Sequence, residues 1–209
     1  MAMISVGGGV GVLFEGGELD DGFEDGFQTT FARRYLPDVL RGDARPNVII
    51  ERFKGEKFRV FSSLYDVNSK DYYKLESAVP QAYKNEAPPV FFLLQATARA
   101  GARKGRIFIT DSVSVINENG KAVLFVGYPH TGKSTISALA LSEGLPVLST
   151  ENTVVDVRDG RIFVIGGHRR PGIRPEDRGD LRDKGGIPGH HEERVQDRRH
   201  IELREEDCP

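Results

Sequence analysis

At 209 residues, with 38% hydrophobic and 29% charged positions, the chain has the length and composition of a globular protein with a sizeable core of its own. A formal net charge of -2 excludes the strongly basic surface that bulk attraction to nucleic acid or to an anionic membrane requires. The single cysteine, Cys208, excludes an intrachain disulfide and any CxxC metal or redox motif.

The opening stretch MAMISVGGGVGVLFEGG has no basic leader and its apolar content is diluted by glycine. It resembles neither a signal peptide nor a membrane span, and a cytoplasmic protein is expected. Residues 3–14 have the β-branched content of a strand, weakened by the glycines at 7–9. The run GGGVGV misses the G-x-G-x-x-G spacing of a dinucleotide fingerprint, so it reads as a glycine-rich strand or bulge. Over residues 27–40, Phe27, Phe31, Tyr35, Leu36 and Leu40 recur near helical spacing, which predicts a helix broken at Pro37. Residues 47–53 and 57–65 read as a hairpin around KGE, and APPVFFLLQATARAGA at 87–102 as a buried helix that starts on prolines and ends at glycine. Residues 1–105 thus predict an α+β N-terminal part packed on a core formed by the second half of the chain.

From Arg106 two β-rich runs, RIFITDSVSVI and KAVLFV, are joined by NENG, whose Asn-Gly pair signals a hairpin. The second run leads into GYPHTGKS at 127–134, and ISALALSEG after it has the pattern of a helix. A strand at 145–149 and a hairpin of 153–157 with 161–165 around RDG complete a core at 106–167. Residues 168–209 carry both charge signs at high density, many glycines and four of the five histidines, the composition of a disordered tail; HIELRE at 200–205 is its one candidate strand.

GYPHTGKS fills every fixed position of a phosphate-binding P-loop, between a strand and a helix as the motif requires. In such a loop backbone N–H groups wrap phosphate oxygens, the helix N-terminus adds its dipole, and the lysine reaches the outer phosphates. The predicted nucleotide-binding residues are Gly127, Tyr128, Pro129, His130, Thr131, Gly132, Lys133, Ser134 and Thr135. His130 reads as solvent-facing, Thr135 as capping or packing the first helical turn, and Ser134 as a Mg²⁺ ligand through its hydroxyl. The acidic partner that a magnesium nucleotide needs has three candidates: Glu151 after LPVLST, Asp156 in NTVVD, and Asp111 upstream of the hairpin.

Hairpin, P-loop strand, helix, short strand with polar end and second hairpin together resemble the HPr kinase/phosphorylase-like group, related in fold to phosphoenolpyruvate carboxykinase. The matching segments are TDSVSVINENGKAVLFVGYPHTGKST and VLSTENTVVDVRDGRIFVIGG, with FARRYLP and the helix at 87–102 consistent with the family's N-terminal part. Three places depart from the family: Asp111 stands where it has histidine, Pro129 and His130 replace small loop residues, and Thr150-Glu151 replaces an acidic pair. The resemblance implies an α/β fold with a mixed sheet carrying the P-loop, like the HPr kinase C-terminal domain, beside an α+β N-terminal part. It implies ATP and Mg²⁺ as cofactors, a hydroxyl acceptor on a small molecule or protein, and a homo-oligomer. Lys133, Glu151 and Asp111 are then the catalytic candidates, and Ser134 and Glu151 the metal ligands. Arg169, Arg170 or Arg174 would stand near a phosphate. An inactive nucleotide-binding regulatory module and a P-loop kinase with a wholly parallel sheet are the competing expectations.

Overall fold

The computed structural model describes residues 1–16, 19, 22–42 and 45–167, together with the backbone of 201–203. Strands β1 (Ala2–Val6) and β2 (Val10–Glu15) form an antiparallel hairpin. Its turn is Gly7-Gly8-Gly9, with φ of 57°, 73° and 111°, a left-handed run that only glycine adopts without strain. The glycines therefore make a tight turn between two strands, where the sequence predicted one weakened strand.

The helix expected over 27–40 is replaced by a 3-10 turn (Asp25–Gln28), one turn of helix α1 (Ala32–Tyr35) and a short strand β3 (Leu40–Arg41). Pro37 forces Leu36 into an extended conformation with ψ 117°, and the apolar residues of the stretch serve separate local structures. Phe27 and Leu36 enter the core, whereas Leu40 is exposed.

A second correction concerns β4 (Val48–Lys54) and β5 (Arg59–Val67), which are strands but not a hairpin. β6 (Lys70–Ser77) inserts between them, parallel to β4 and antiparallel to β5, with Asn68 and Ser69 making the left-handed turn. The six strands lie in the order β3-β1-β2-β4-β6-β5, a mixed sheet in which β2-β4 and β4-β6 are the parallel pairs. After the single turn α2 (Ala82–Asn85), α3 (Ala87–Ala102) starts with proline in its first turn, as expected. It sends Val90, Leu93 and Ala100 into one core with Val12, Phe14, Ile50 and Leu75 of the sheet. The fully buried carboxylate of Asp71 on β6 would be costly unpaired; Arg103 on the segment after α3 clamps it with two nitrogens, at 3.0 and 3.1 Å.

The run 106–116 is not one strand. It splits at Asp111, which sits at φ 52°, into β7 (Arg106–Ile109) and β8 (Ser112–Ile116), and these join different sheets. Aspartate tolerates the left-handed region through its short polar side chain, so the break carries no glycine or proline to announce it. β7 pairs with β11 (Thr153–Arg158), which pairs with β12 (Arg161–Gly167), which pairs with β13 (Ile201–Leu203). β8 lies between β9 (Ala122–Val126) and β10 (Val147–Ser149), antiparallel to both. The β8-β9 pairing is the hairpin that Asn-Gly predicted, and it contradicts the wholly parallel sheet of an ordinary P-loop kinase. Helix α4 (Lys133–Ser142) joins β9 to β10, and Ala140 packs on Val113 and Val115 of β8. The whole is mixed α/β, with the parallel pairs confined to the N-terminal sheet.

Candidate phosphate-binding site

β9 ends at Val126 and α4 begins at Lys133, so residues 127–132 form the loop. Gly127 is anchored at its start: its N–H donates to the carbonyl of Asp111 at 3.2 Å. Thr131 closes the loop by donating its hydroxyl to the carbonyl of Tyr128 at 2.8 Å. Gly132 is the N-cap of α4 at φ 91°, ψ 7°, without a side-chain cap. The first-turn N–H groups of any α-helix lack intrahelical acceptors, and here no capping side chain supplies one. Together with the helix dipole they present partial positive charge at the loop.

The ammonium of Lys133 donates to the carbonyls of Gly127 at 2.6 Å and Tyr128 at 2.8 Å, which holds it across the loop. Tyr128, Pro129 and His130 are exposed, His130 at φ 67°; Ser134 is half-buried on the first turn of α4. Thr135 is exposed and does not cap the helix, so the capping position expected for it belongs to Gly132.

Glu151 follows β10 and is tied to the hairpin, its carbonyl accepting the N–H of Ser112 at 2.9 Å. Its carboxyl is pushed above the ordinary glutamate range, chiefly by burial; Asp111 pushes the same way, while Arg34 and Lys133 oppose. Lys133, Glu151 and Asp111, from three separate segments, therefore share one electrostatic neighbourhood. Asp156 does not join them. It lies three residues beyond Thr153 on β11, about 10 Å along the strand, and its buried carboxylate is held by Arg158 Nε at 2.7 Å.

Below the loop a chain of buried hydroxyls joins the two small sheets. Ser112 Oγ lies 2.8 Å from Thr153 Oγ1, and Ser114 Oγ lies 2.8 Å from Ser149 Oγ, which also bonds Thr153. The serines in SVSVI and VLST gave no such signal in the sequence, since their role depends on which strands meet.

Arg34 is the residue at the site that the sequence pattern did not single out. Its Nη2 stands 3.9 Å from Glu151 Oε1. Beside it, the Asn152 amide donates to the carbonyl of Tyr35, which docks α1 against the loop that carries Glu151. Two adjacent arginines in FARRYLP were the only trace available in one dimension. Arg169, Arg170 and Arg174 lie outside the described residues.

The donor set of loop amides, Lys133 and the Ser134 hydroxyl suits a polyphosphate. Among the described residues no group of three or more His, Cys, Asp or Glu could hold a metal ion by itself. Among the same residues no helix is long and apolar enough to cross a membrane. No protein-family model, curated protein or solved structure matches the chain.

Proposed function

We propose that the chain binds Mg·ATP at the loop 127–134 and transfers phosphate to a hydroxyl of a small molecule or protein, as an HPr kinase-like P-loop protein with an α+β N-terminal part. The observation that carries this reading is an uncapped helix N-terminus preceded by a glycine-anchored loop, with Lys133 held across that loop and the backbones of Asp111 and Glu151 tied to the adjoining hairpin. Bound Mg·ATP would supply the transferable phosphoryl group and the metal that offsets its charge. Lys133 exchanges its two carbonyl contacts for phosphate oxygens, Ser134 offers its hydroxyl to the metal, and the loop amides orient the chain of phosphates. Glu151, with its proton affinity raised by burial, is suited to accept a proton from an acceptor hydroxyl or to hold a metal-bound water.

A second reading, a nucleotide-binding regulatory module without transfer, is favoured by one observation: Glu151 is preceded in the chain by Thr150 rather than by an acid, and its carboxylate is engaged by Arg34. Calorimetric titration of ATP and GTP, with and without Mg²⁺, into wild type and Lys133→Ala tests both. Magnesium-dependent binding abolished by the substitution supports the phosphate site, and transfer to an acceptor then separates kinase from module. Folded wild type that binds neither nucleotide overturns both.

A further inference from the structure

Arg34 presents a cation to the same site from the N-terminal half of the chain, 99 positions before Lys133. Its ion pair with Glu151 is long, at 3.9 Å, and its side chain is 62% exposed. A pair this long, with its arginine exposed, contributes little to stability, so folding alone gives weak reason for the contact. Its backbone is nonetheless firmly placed. The carbonyl of Tyr35 accepts the Asn152 amide, the Tyr35 ring packs 5.0 Å from Phe91 of α3, and Asp38 Oδ2 accepts the N–H of Gly167 at 3.1 Å. The guanidinium carbon lies 5.4 Å from the Tyr35 ring centroid, which orients the side chain without covering it. A loosely held guanidinium on a fixed base, set beside the carboxylate of Glu151, whose backbone carbonyl bonds the residue next to the Asp111 that anchors Gly127, suits capture of an incoming anion. Its planar fork matches phosphate oxygens better than an ammonium does.

We propose that Arg34 binds the outermost phosphate of the nucleotide held by the loop 127–134, leaving Glu151 as it does so, and thereby makes the site prefer a nucleoside triphosphate to a diphosphate. This rests on the phosphate-site reading above. The loop amides serve the phosphates that both nucleotides share, with Lys133 reaching outward from them, whereas Arg34 stays at Glu151 until a further phosphate draws it off. A diphosphate has no group to draw Arg34 off Glu151. The same exchange frees the carboxylate of Glu151 only when a transferable phosphate is present.

The test is calorimetric affinity for Mg·ATP and Mg·ADP in wild type, Arg34→Gln, Arg34→Lys and Lys133→Ala, with thermal melts confirming that each is folded. Arg34→Gln is expected to weaken ATP about tenfold or more, the loss of a charge-assisted contact, while ADP stays within about twofold. Arg34→Lys is expected to recover part of the ATP affinity. Equal weakening of both nucleotides, or no change in either, overturns the role of Arg34 while Lys133→Ala still reports on the loop. Wild type that binds neither nucleotide overturns the loop reading and Arg34 with it.

Discussion

A Cβ built on Gly127 would stand 2.8 Å from Oγ1 of Thr131, the atom that closes the loop onto the carbonyl of Tyr128. Gly127→Ala therefore displaces Thr131 and opens the loop, and is expected to lower Mg·ATP affinity at least tenfold. Thr131→Ala in the same chain removes the obstructing oxygen and is expected to return part of that loss, which calorimetry on the single and double variants will show as non-additivity. Gly132→Ala differs in kind. No atom lies within 4 Å of its Cβ position, but φ of 91° costs any other residue on the order of 1–2 kcal/mol, with no neighbour whose change relieves it.

The buried hydroxyls of Ser114 and Ser149 hold the β8-β9 hairpin to β10, the strand that Glu151 follows. Ser149 Oγ also accepts the backbone N–H of Ser114 at 3.1 Å. Ser149→Ala leaves that donor without its acceptor in a fully buried position and is expected to destabilise the fold by about 1–3 kcal/mol. Urea denaturation should show a lowered midpoint at unchanged slope.

Asp156→Asn and Glu151→Gln are expected to behave oppositely. The first removes the charge that Arg158 pairs with on β11, so the thermal midpoint falls while Mg·ATP affinity stays within about twofold of wild type. The second touches a long ion pair whose arginine is exposed, so stability changes little, while transfer rate falls about a hundredfold if Glu151 takes the acceptor's proton. Melting curves and titrations on the two variants distinguish structural from functional carboxylate.

Two core phenols set an alkaline limit. Burial raises the Tyr73 hydroxyl from 10.0 to about 12, with Asp71 next in effect, and burial raises Tyr83 further still. The unfolded chain ionises these groups near pH 10 while the folded chain keeps them protonated. The stability they confer is therefore complete below pH 10 and is lost as pH rises through about 12. Denaturant midpoints measured from pH 8 to 11.5 should fall above pH 10, and Tyr83→Phe should flatten that fall.

The elements that were legible in one dimension are those whose signal is local. Helix α3 announces itself by prolines at its start and apolar spacing along 16 residues, and the β8-β9 turn by Asn-Gly. GYPHTGKS names a loop because the backbone path at Gly132 and the position of Lys133 on the first helical turn are properties of consecutive residues. Errors came where the determinant was distant. Nothing between Val48 and Val67 says that β6 will slide between β4 and β5, since a strand's partner is set by cross-strand packing in the assembled sheet. Asp111 ends one strand and starts another in a different sheet through a single left-handed residue that the β-rich run conceals.

What the sequence by itself determined is the loop, its flanking strand and helix, and a short roster of acids that could face it. Tertiary structure sorted these acids: the backbones of Asp111 and Glu151 are tied to the hairpin beside the loop, while Asp156 is drawn into a salt bridge with Arg158. It also brought Arg34 to Glu151, a meeting of residues 117 positions apart that depends on the docking of Asn152 on Tyr35. The physical reason is range: backbone conformation responds to immediate neighbours, whereas the electrostatics of a site depend on side chains that only the packed sheets bring within a few ångströms.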